Sequence, residues 1–286
     1  MISAHWEQVL VILAINTVVA YGAFLPMAVG QLNLGVAGFM AVGAYTSAWF
    51  SNELGLSAFA TVFIGALGAG LLALVVAVPV LRTRGIYLAL ATFALGEVVQ
   101  ATILNLEFVG GAAGYPVIQY IGAFGITTFA VACFVLVYLV FSTRFGLSVT
   151  AVHDDEQVAD LFGLNVKAFQ VGAFTLGGIL AGFGGALYAH HFSVIEAQNF
   201  NVLLSIYIVL YVLLGGTQTV FGPVIGAAVF TLTPELLRGI NEWRYVLFAV
   251  LIILIMVWRP QGVVTREMLG MFARRRRQLR RAEVPS

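Results

Sequence analysis

The sequence predicts an all-α protein, a polytopic transmembrane helical bundle of about 8–9 spans. Three observations carry this expectation. Of the 286 residues, 61% are apolar and only 9% charged, with a mean hydropathy of +1.00. A soluble domain carries about 25% charged residues, so the polar surface here is too small to coat a globule. The apolar residues fall into runs of spanning length separated by short polar turns. The basic residues, finally, gather in alternate turns rather than being spread along the chain.

Taken in order, the apolar runs cover 8–27, 35–51, 57–80, 86–104, 122–141 and 169–190, with two more at 203–221 and 245–258. A shorter segment at 223–237 is interrupted by Pro223 and Pro234 and either spans or turns back within the membrane. The first residues lack a basic start and no cleavage site follows the first run, so no classical cleaved signal peptide is expected. Cys133, the single cysteine, lies in an apolar run and excludes an intramolecular disulfide or a cysteine-based metal cluster. No internal repeat or appended soluble domain is evident. Residues 1–262 read as one transmembrane domain and 263–286 as a basic tail.

Orientation follows from the charges. With the 142–168 loop in the cytoplasm, alternation puts the 81–85 turn and the tail on the same side. Of the 14 basic residues only Arg238 and Arg244 then fall outside the cytoplasmic set, which holds Arg82, Arg84, Arg144, Lys167 and the arginines from Arg259 to Arg281. The N-terminus is expected outside and the C-terminus inside. The run Arg274–Arg277 fits an anchor beside anionic headgroups better than a nucleic-acid contact.

Within the runs, small residues recur at helical spacing. Gly177, Ala181 and Gly185 form one row, Gly178 and Gly182 a second, and Gly65, Gly68 and Gly70 sit in an earlier run. Such rows let helix backbones approach closely where no hydrophobic force drives association. No strand precedes Gly178, so the stretch is not a dinucleotide-binding turn. Glu97 is the one acid well inside a run. It either lines a pathway or switch, or pairs with Gln100, Asn105 or a group on another helix. His190 and His191 point in different directions on a helix and have no third ligand nearby, so they read as interfacial rather than metal-binding.

The longest polar interruption is 142–168. Asp154, Asp155, Glu156 and Asp160 crowd into it, in a chain with only 13 acids. At 100° per residue, Leu147, Ala151, Val158, Leu161 and Phe162 share one face and His153, Glu156 and Asp160 the other. Asp154 is placed to cap a short helix, Gln157 stands in the capping-box position and Gly163 is free to end it. This amphipathic element is expected to touch something outside the membrane.

Gln157-Val158-Ala159, followed by Gly163, resembles the Glu-Ala-Ala-x-x-x-Gly loop of ABC-importer permeases, with Gln for Glu and Val for the first Ala. Other blocks agree in order along the chain. They are Gly30-Gln31-Leu32-Asn33-Leu34-Gly35 with Gly43-Ala44-Tyr45-Thr46; Arg84-Gly85-Ile86-Tyr87 leading to Glu97; Gly110-Gly111-Ala112-Ala113-Gly114; Ala181 to Ala189; Leu214-Gly215-Gly216-Thr217 with Gly222-Pro223; and Trp258-Arg259-Pro260-Gln261-Gly262. Asn33 and Val36 replace the Ser and His usual in the first block. Together they resemble the branched-chain amino-acid ABC-transporter permease family, in particular its LivM-like subunit. The amino-terminal part is short against many relatives, which suggests a missing outer first span.

The resemblance implies a multi-pass protein of a bacterial or archaeal inner membrane that is not itself an enzyme. It would work beside a second related permease, two cytoplasmic ABC ATPases and an extracytoplasmic substrate-binding protein. Residues 154–163 would form the coupling contact to the ATPase. No cofactor is expected on this chain, since it has no phosphate-binding loop and ATP would be bound by partner subunits. Urea or short amides are the alternative cargo. A stand-alone channel or secondary transporter is the other alternative, but it would carry polar relays in several spans.

Overall fold

A computed structural model describes residues 4–240, 243–259 and 262–265 of the chain. Helices α1 (Ala4–Ala28), α2 (Val36–Leu54), α3 (Ala58–Val80), α4 (Ile86–Leu104) and α5 (Ala123–Ser142) come first. Two short helices follow, α6 (Arg144–Asp154) and α7 (Glu156–Leu161), then the long α8 (Val166–Phe192). The described part closes with α9 (Val202–Gly215), α10 (Phe221–Leu236) and α11 (Trp243–Trp258). The only sheet among the described residues pairs β1 (Tyr115–Pro116) with β2 (Val194–Ile195), antiparallel, with Tyr115 opposite Ile195. It ties the α4–α5 and α8–α9 connections together at one end of the bundle.

The chain is an all-α, multi-pass membrane protein. Among the described residues five helices are long and apolar enough to cross a membrane: α1, α3, α4, α5 and α8. Helix α2 is of spanning length but less apolar, with Ser47, Ser51 and Asn52 in its second half. Helices α9, α10 and α11 are shorter, at 14, 16 and 16 residues. The expected span at 203–221 therefore stops early. Gly215 ends the helix, and a turn over 216–220 starts α10 sooner than the 223–237 expectation. Helix α10 nevertheless runs across the bundle beside α1. At its start Val220 carbonyl accepts from Tyr21 Oη at 2.8 Å, and at its end Glu235 meets His5 at 2.6 Å. The tail from residue 266 onward, with its arginine run, lies outside the described residues.

Helix α8 is the centre of the packing. It lies against α1, α2 and α3, while α4 and α5 sit at the periphery with most of their surface uncovered. The small residues explain the closeness. A Cβ on Gly43 of α2 would run into the Gly182 backbone, one on Gly182 into the Ala69 methyl, and one on Gly185 into the Met40 carbonyl. Gly178 faces Ala73 of α3 in the same way. On the α1 side, Gly177 lies against Gly22 and Pro26, and Ala181 against Gly22. Backbone-to-backbone contact of this kind gains dispersion energy where lipid tails are as apolar as the helices themselves.

Candidate functional site

Polar regions interrupt the apolar bundle on its surface and inside it. The surface region is α6–α7. The expectation of a single helix capped by Asp154 is corrected here. Asp154 is the last residue of α6, and the chain breaks at Asp155, whose extended backbone (φ −157°, ψ 109°) starts a second helix. Asp155 Oδ1 accepts from the amides of Gln157 and Val158 at 2.9 and 3.0 Å. The third helical position is thus Val158 rather than Gln157, so no capping box forms. Thr143 caps α6 and Asn165 caps α8 by the same chemistry, accepting from Phe145 and Ala168. Gly163 follows α7 at φ +82°, a conformation that costs glycine little, and its amide donates to the Asp160 carbonyl at 2.9 Å.

The break also redistributes the faces. Val149, Val152 and Ala159 are buried, and these are the residues that seat α6 and α7 on the bundle. Leu147, Leu161 and Phe162 are 72%, 86% and 83% exposed, and Val158 is 45% exposed. The exposed apolar residues are therefore available to a partner and are not the anchors that hold α7 down. Ala151 is half-buried and Asp160 is exposed. Glu156, on the polar face and among the residues expected to contact the ATPase, is engaged within the chain. Its carboxylate accepts from Gln170 Nε2 of α8 at 2.9 Å and faces Arg84 of the α3–α4 turn at 3.5 Å. Glu156 was legible as an acid on the polar face, but nothing local marked Gln170 or Arg84 as its partners.

The internal region is the α1–α2 link, Gly30–Gly35. Its polar side chains are buried and its backbone is tied to two other helices, while Gly30 and Leu32 stay exposed. Leu34 amide donates to Thr92 Oγ1 of α4 at 3.0 Å, and Ala37 amide to Ser205 Oγ of α9 at 2.9 Å. Thr92 lies six residues into α4, about 9 Å from its start. Asn33 is 1% exposed and Gln31 4%. Asn33 Oδ1 accepts from Gly35 amide at 2.9 Å, while Asn33 Nδ2 and Gln31 Oε1 have no partner among the described residues. Irregular backbone at membrane depth survives only when buried in protein or lining water. The sequence signal was available as two polar residues, Gln31 and Asn33, between two glycines.

Glu97 sits on α4 with its side chain partly exposed and no hydrogen bond or ion pair among the described residues. The expected pairings are corrected: Gln100 Nε2 donates to the carbonyls of Ala197 and Gln198, and Asn105 Nδ2 to that of Ala101. His190 is also corrected, because it is fully buried rather than interfacial. Its Nδ1 lies 2.9 Å from Gln119 carbonyl, which only accepts, so Nδ1 carries the proton; Nε2 lies 2.9 Å from both Ser47 Oγ and Thr61 Oγ1. His190 thus joins α2, α3, α8 and the α4–α5 connection. His191 Nδ1 meets Ile121 carbonyl at 3.2 Å.

Comparison with known proteins gives the family. The family model described as "Branched-chain amino acid transport system / permease component" matches residues 6–256. The high-affinity branched-chain amino acid transport system permease protein LivM of Escherichia coli (strain K12) is 30% identical over 82% of this chain and 64% of its own length. The nucleoside ABC transporter permease protein NupC of Lactococcus lactis subsp. cremoris is 28% identical, covering 60% of this chain and 62% of its own. The fructose import permease protein FrcC of Rhizobium meliloti is 27% identical over 61% of this chain and 50% of its own. The chain thus spans 64% of the length of LivM and 62% of that of NupC, slightly under two thirds of each. No solved structure matches. With the model match running from α1 into α11, the chain belongs to the branched-chain amino acid transport system permease component family.

Proposed function

We propose that this chain is the membrane-spanning permease subunit of an ATP-driven importer, and that it carries branched-chain amino acids inward across the inner membrane. The observation that bears most weight is α6–α7: two capped helices outside the spans that present Leu147, Leu161 and Phe162 to solvent while Glu156 ties them to α8. Helix-in-groove recognition uses this arrangement, with apolar anchors on one short face. The loop lies on the cytoplasmic side with the C-terminus, and the N-terminus lies outside. Two ABC ATPases seat α7 in grooves, a second related permease completes the pathway, and a binding protein delivers cargo from outside. ATP itself is bound by those partners. Closure of the ATPases moves α7, and rigid-body motion of α5 and α8 reopens the pathway to the other side. Glu97, half-buried on α4 and without a partner among the described residues, lines that pathway.

Similarity to LivM over most of the chain supports branched-chain amino acids as cargo. The relatives named for nucleosides and fructose keep other small polar cargoes, urea and short amides included, as the second reading.

The test is the complex expressed in full, with Phe162→Asp and Gly163→Val introduced singly. Both variants are expected to insert at normal levels, to retain less ATPase through purification, and to lose cargo-stimulated ATP hydrolysis. Full ATPase retention with full stimulation in both would end the coupling reading. Uptake of labelled leucine, guanosine, fructose and urea by the unmodified complex assigns the cargo separately.

A further inference from the structure

Two chambers meet on the first half of α1. One, of about 300 Å³, is walled by Ile15, Met40, Tyr188, Phe200 and Leu204, with Asn199 among its lining. The other, also about 300 Å³, lies between α1 and α10 and is lined by Val9, Phe230, Thr231, Pro234 and Glu235. Ile12 and Asn16 belong to both, so the chambers adjoin along α1. One is mostly aliphatic and aromatic; the other collects hydrogen-bond acceptors.

Those acceptors follow from the sequence of α10. Pro234 has no N–H, so the Phe230 carbonyl loses its usual helical donor. Thr231 Oγ1 accepts from Asn16 Nδ2 at 3.0 Å and keeps a further lone pair. One turn on, the Glu235 carboxylate meets His5 Nε2 at 2.6 Å and Arg238 Nη1 at 3.4 Å, with 22% of its side chain exposed. A carboxylate, a hydroxyl and a freed carbonyl make a cradle for an ammonium group, and the arginine next to them suits a carboxylate. The apolar walls beyond suit an uncharged side chain.

We propose that this cleft is a subsite for a free α-amino acid with an apolar side chain, its ammonium on Glu235 and its carboxylate on Arg238. The inference rests on the cargo reading above and gives it a place within this chain, apart from any binding protein. A zwitterionic lipid such as phosphatidylethanolamine offers the same ammonium beside an anion, so the test must separate the two sources.

The full chain, with whatever subunits copurify, is reconstituted in nanodiscs of phosphatidylcholine, and binding of labelled leucine is measured without a binding protein. Saturable binding is expected, displaced by isoleucine and valine. Neither 4-methylpentanoate, which lacks the ammonium, nor isopentylamine, which lacks the carboxylate, should displace it. Glu235→Gln should weaken it about tenfold or more, the loss expected for a hydrogen bond to a charged group. Ile12→Trp, which fills the junction of the chambers, should abolish it while ATPase copurification stays at the unmodified level. Equal leucine binding by the unmodified chain and both variants overturns the proposal. So does a chain that binds no leucine yet retains phosphatidylethanolamine through purification in a Glu235-dependent way, since the cleft is then a lipid site. Leucine uptake without leucine binding removes the subsite and leaves the importer reading intact; uptake of another cargo class alone removes the cargo reading as well.

Discussion

At the scale of single residues, burial and exposure divide the polar groups into two kinds. His190, Ser47 and Thr61 meet inside the bundle, and truncating the imidazole would leave the Ser47 hydroxyl and the Gln119 carbonyl short of a partner, while Thr61 Oγ1 keeps the Ala58 carbonyl. Glu97 is the other kind, an acid at membrane depth with no partner among the described residues. A carboxylate there is tolerated when water or a neighbouring subunit reaches it. Glu97→Ala is therefore expected to lower uptake more than Glu97→Gln, which keeps hydrogen bonding. Vesicle uptake at matched protein levels measures this, and wild-type rates in both variants would take Glu97 out of the pathway. The sequence marked Glu97 because one charge in an apolar run stands out. It could not show that Gln100 turns to the Ala197 and Gln198 carbonyls instead, because that contact joins residues about a hundred positions apart. The same distance hid the burial of His190, whose partners come from α2, α3 and the α4–α5 connection.

At the scale of elements, most helices were legible because apolar runs and their polar ends are local properties. The limits of α3, α4 and α8 fall within a few residues of the apolar runs that predicted them. The split of the 142–168 stretch was less legible. Two adjacent aspartates offer equivalent caps, and only the seating of Val152 and Ala159 on the bundle decides between them. The resulting prediction concerns Asp155. Asp155→Ala removes the acceptor for two amides and should destabilise α7 by about 1 kcal/mol. Hydrogen exchange over 156–161 is expected to speed up roughly five-fold on that free energy, while α8 exchanges as before. Unchanged exchange in α7 would show that its packing, and not its cap, holds it. Asp154→Ala serves as the control, since Asp154 ends α6 and its side chain does not start α7.

At the scale of the molecule, the order of spans and the clustering of basic turns give an orientation. Single cysteines at Asp155 and at Ala112, in a chain with Cys133 replaced, should label from opposite sides of intact cells with an impermeant maleimide. Ala112 is expected to react from outside and Asp155 only after the membrane is opened; labelling of Asp155 from outside reverses the topology. What alternation of apolar runs could not anticipate is the α1–α2 link. Counting spans treats every turn as a surface turn, and Gly30–Gly35 instead buries Gln31 and Asn33. Its amides find hydroxyls on α4 and α9, far along the chain, so its depth is a tertiary property.

That link also dictates a schedule. A ribosome delivers Ala37 long before Ser205, the residue whose hydroxyl receives its amide, and Leu34 well before Thr92. During synthesis α1 and α2 reach the bilayer with donors at their junction that have no finished receiver, and hydrocarbon offers none. The junction must wait in the translocation machinery, in a wet defect, or near the headgroups until α4 and then α9 are made. The α1–α2 junction is thus made before α4 and α9, and it settles at its final depth only after both have been synthesised.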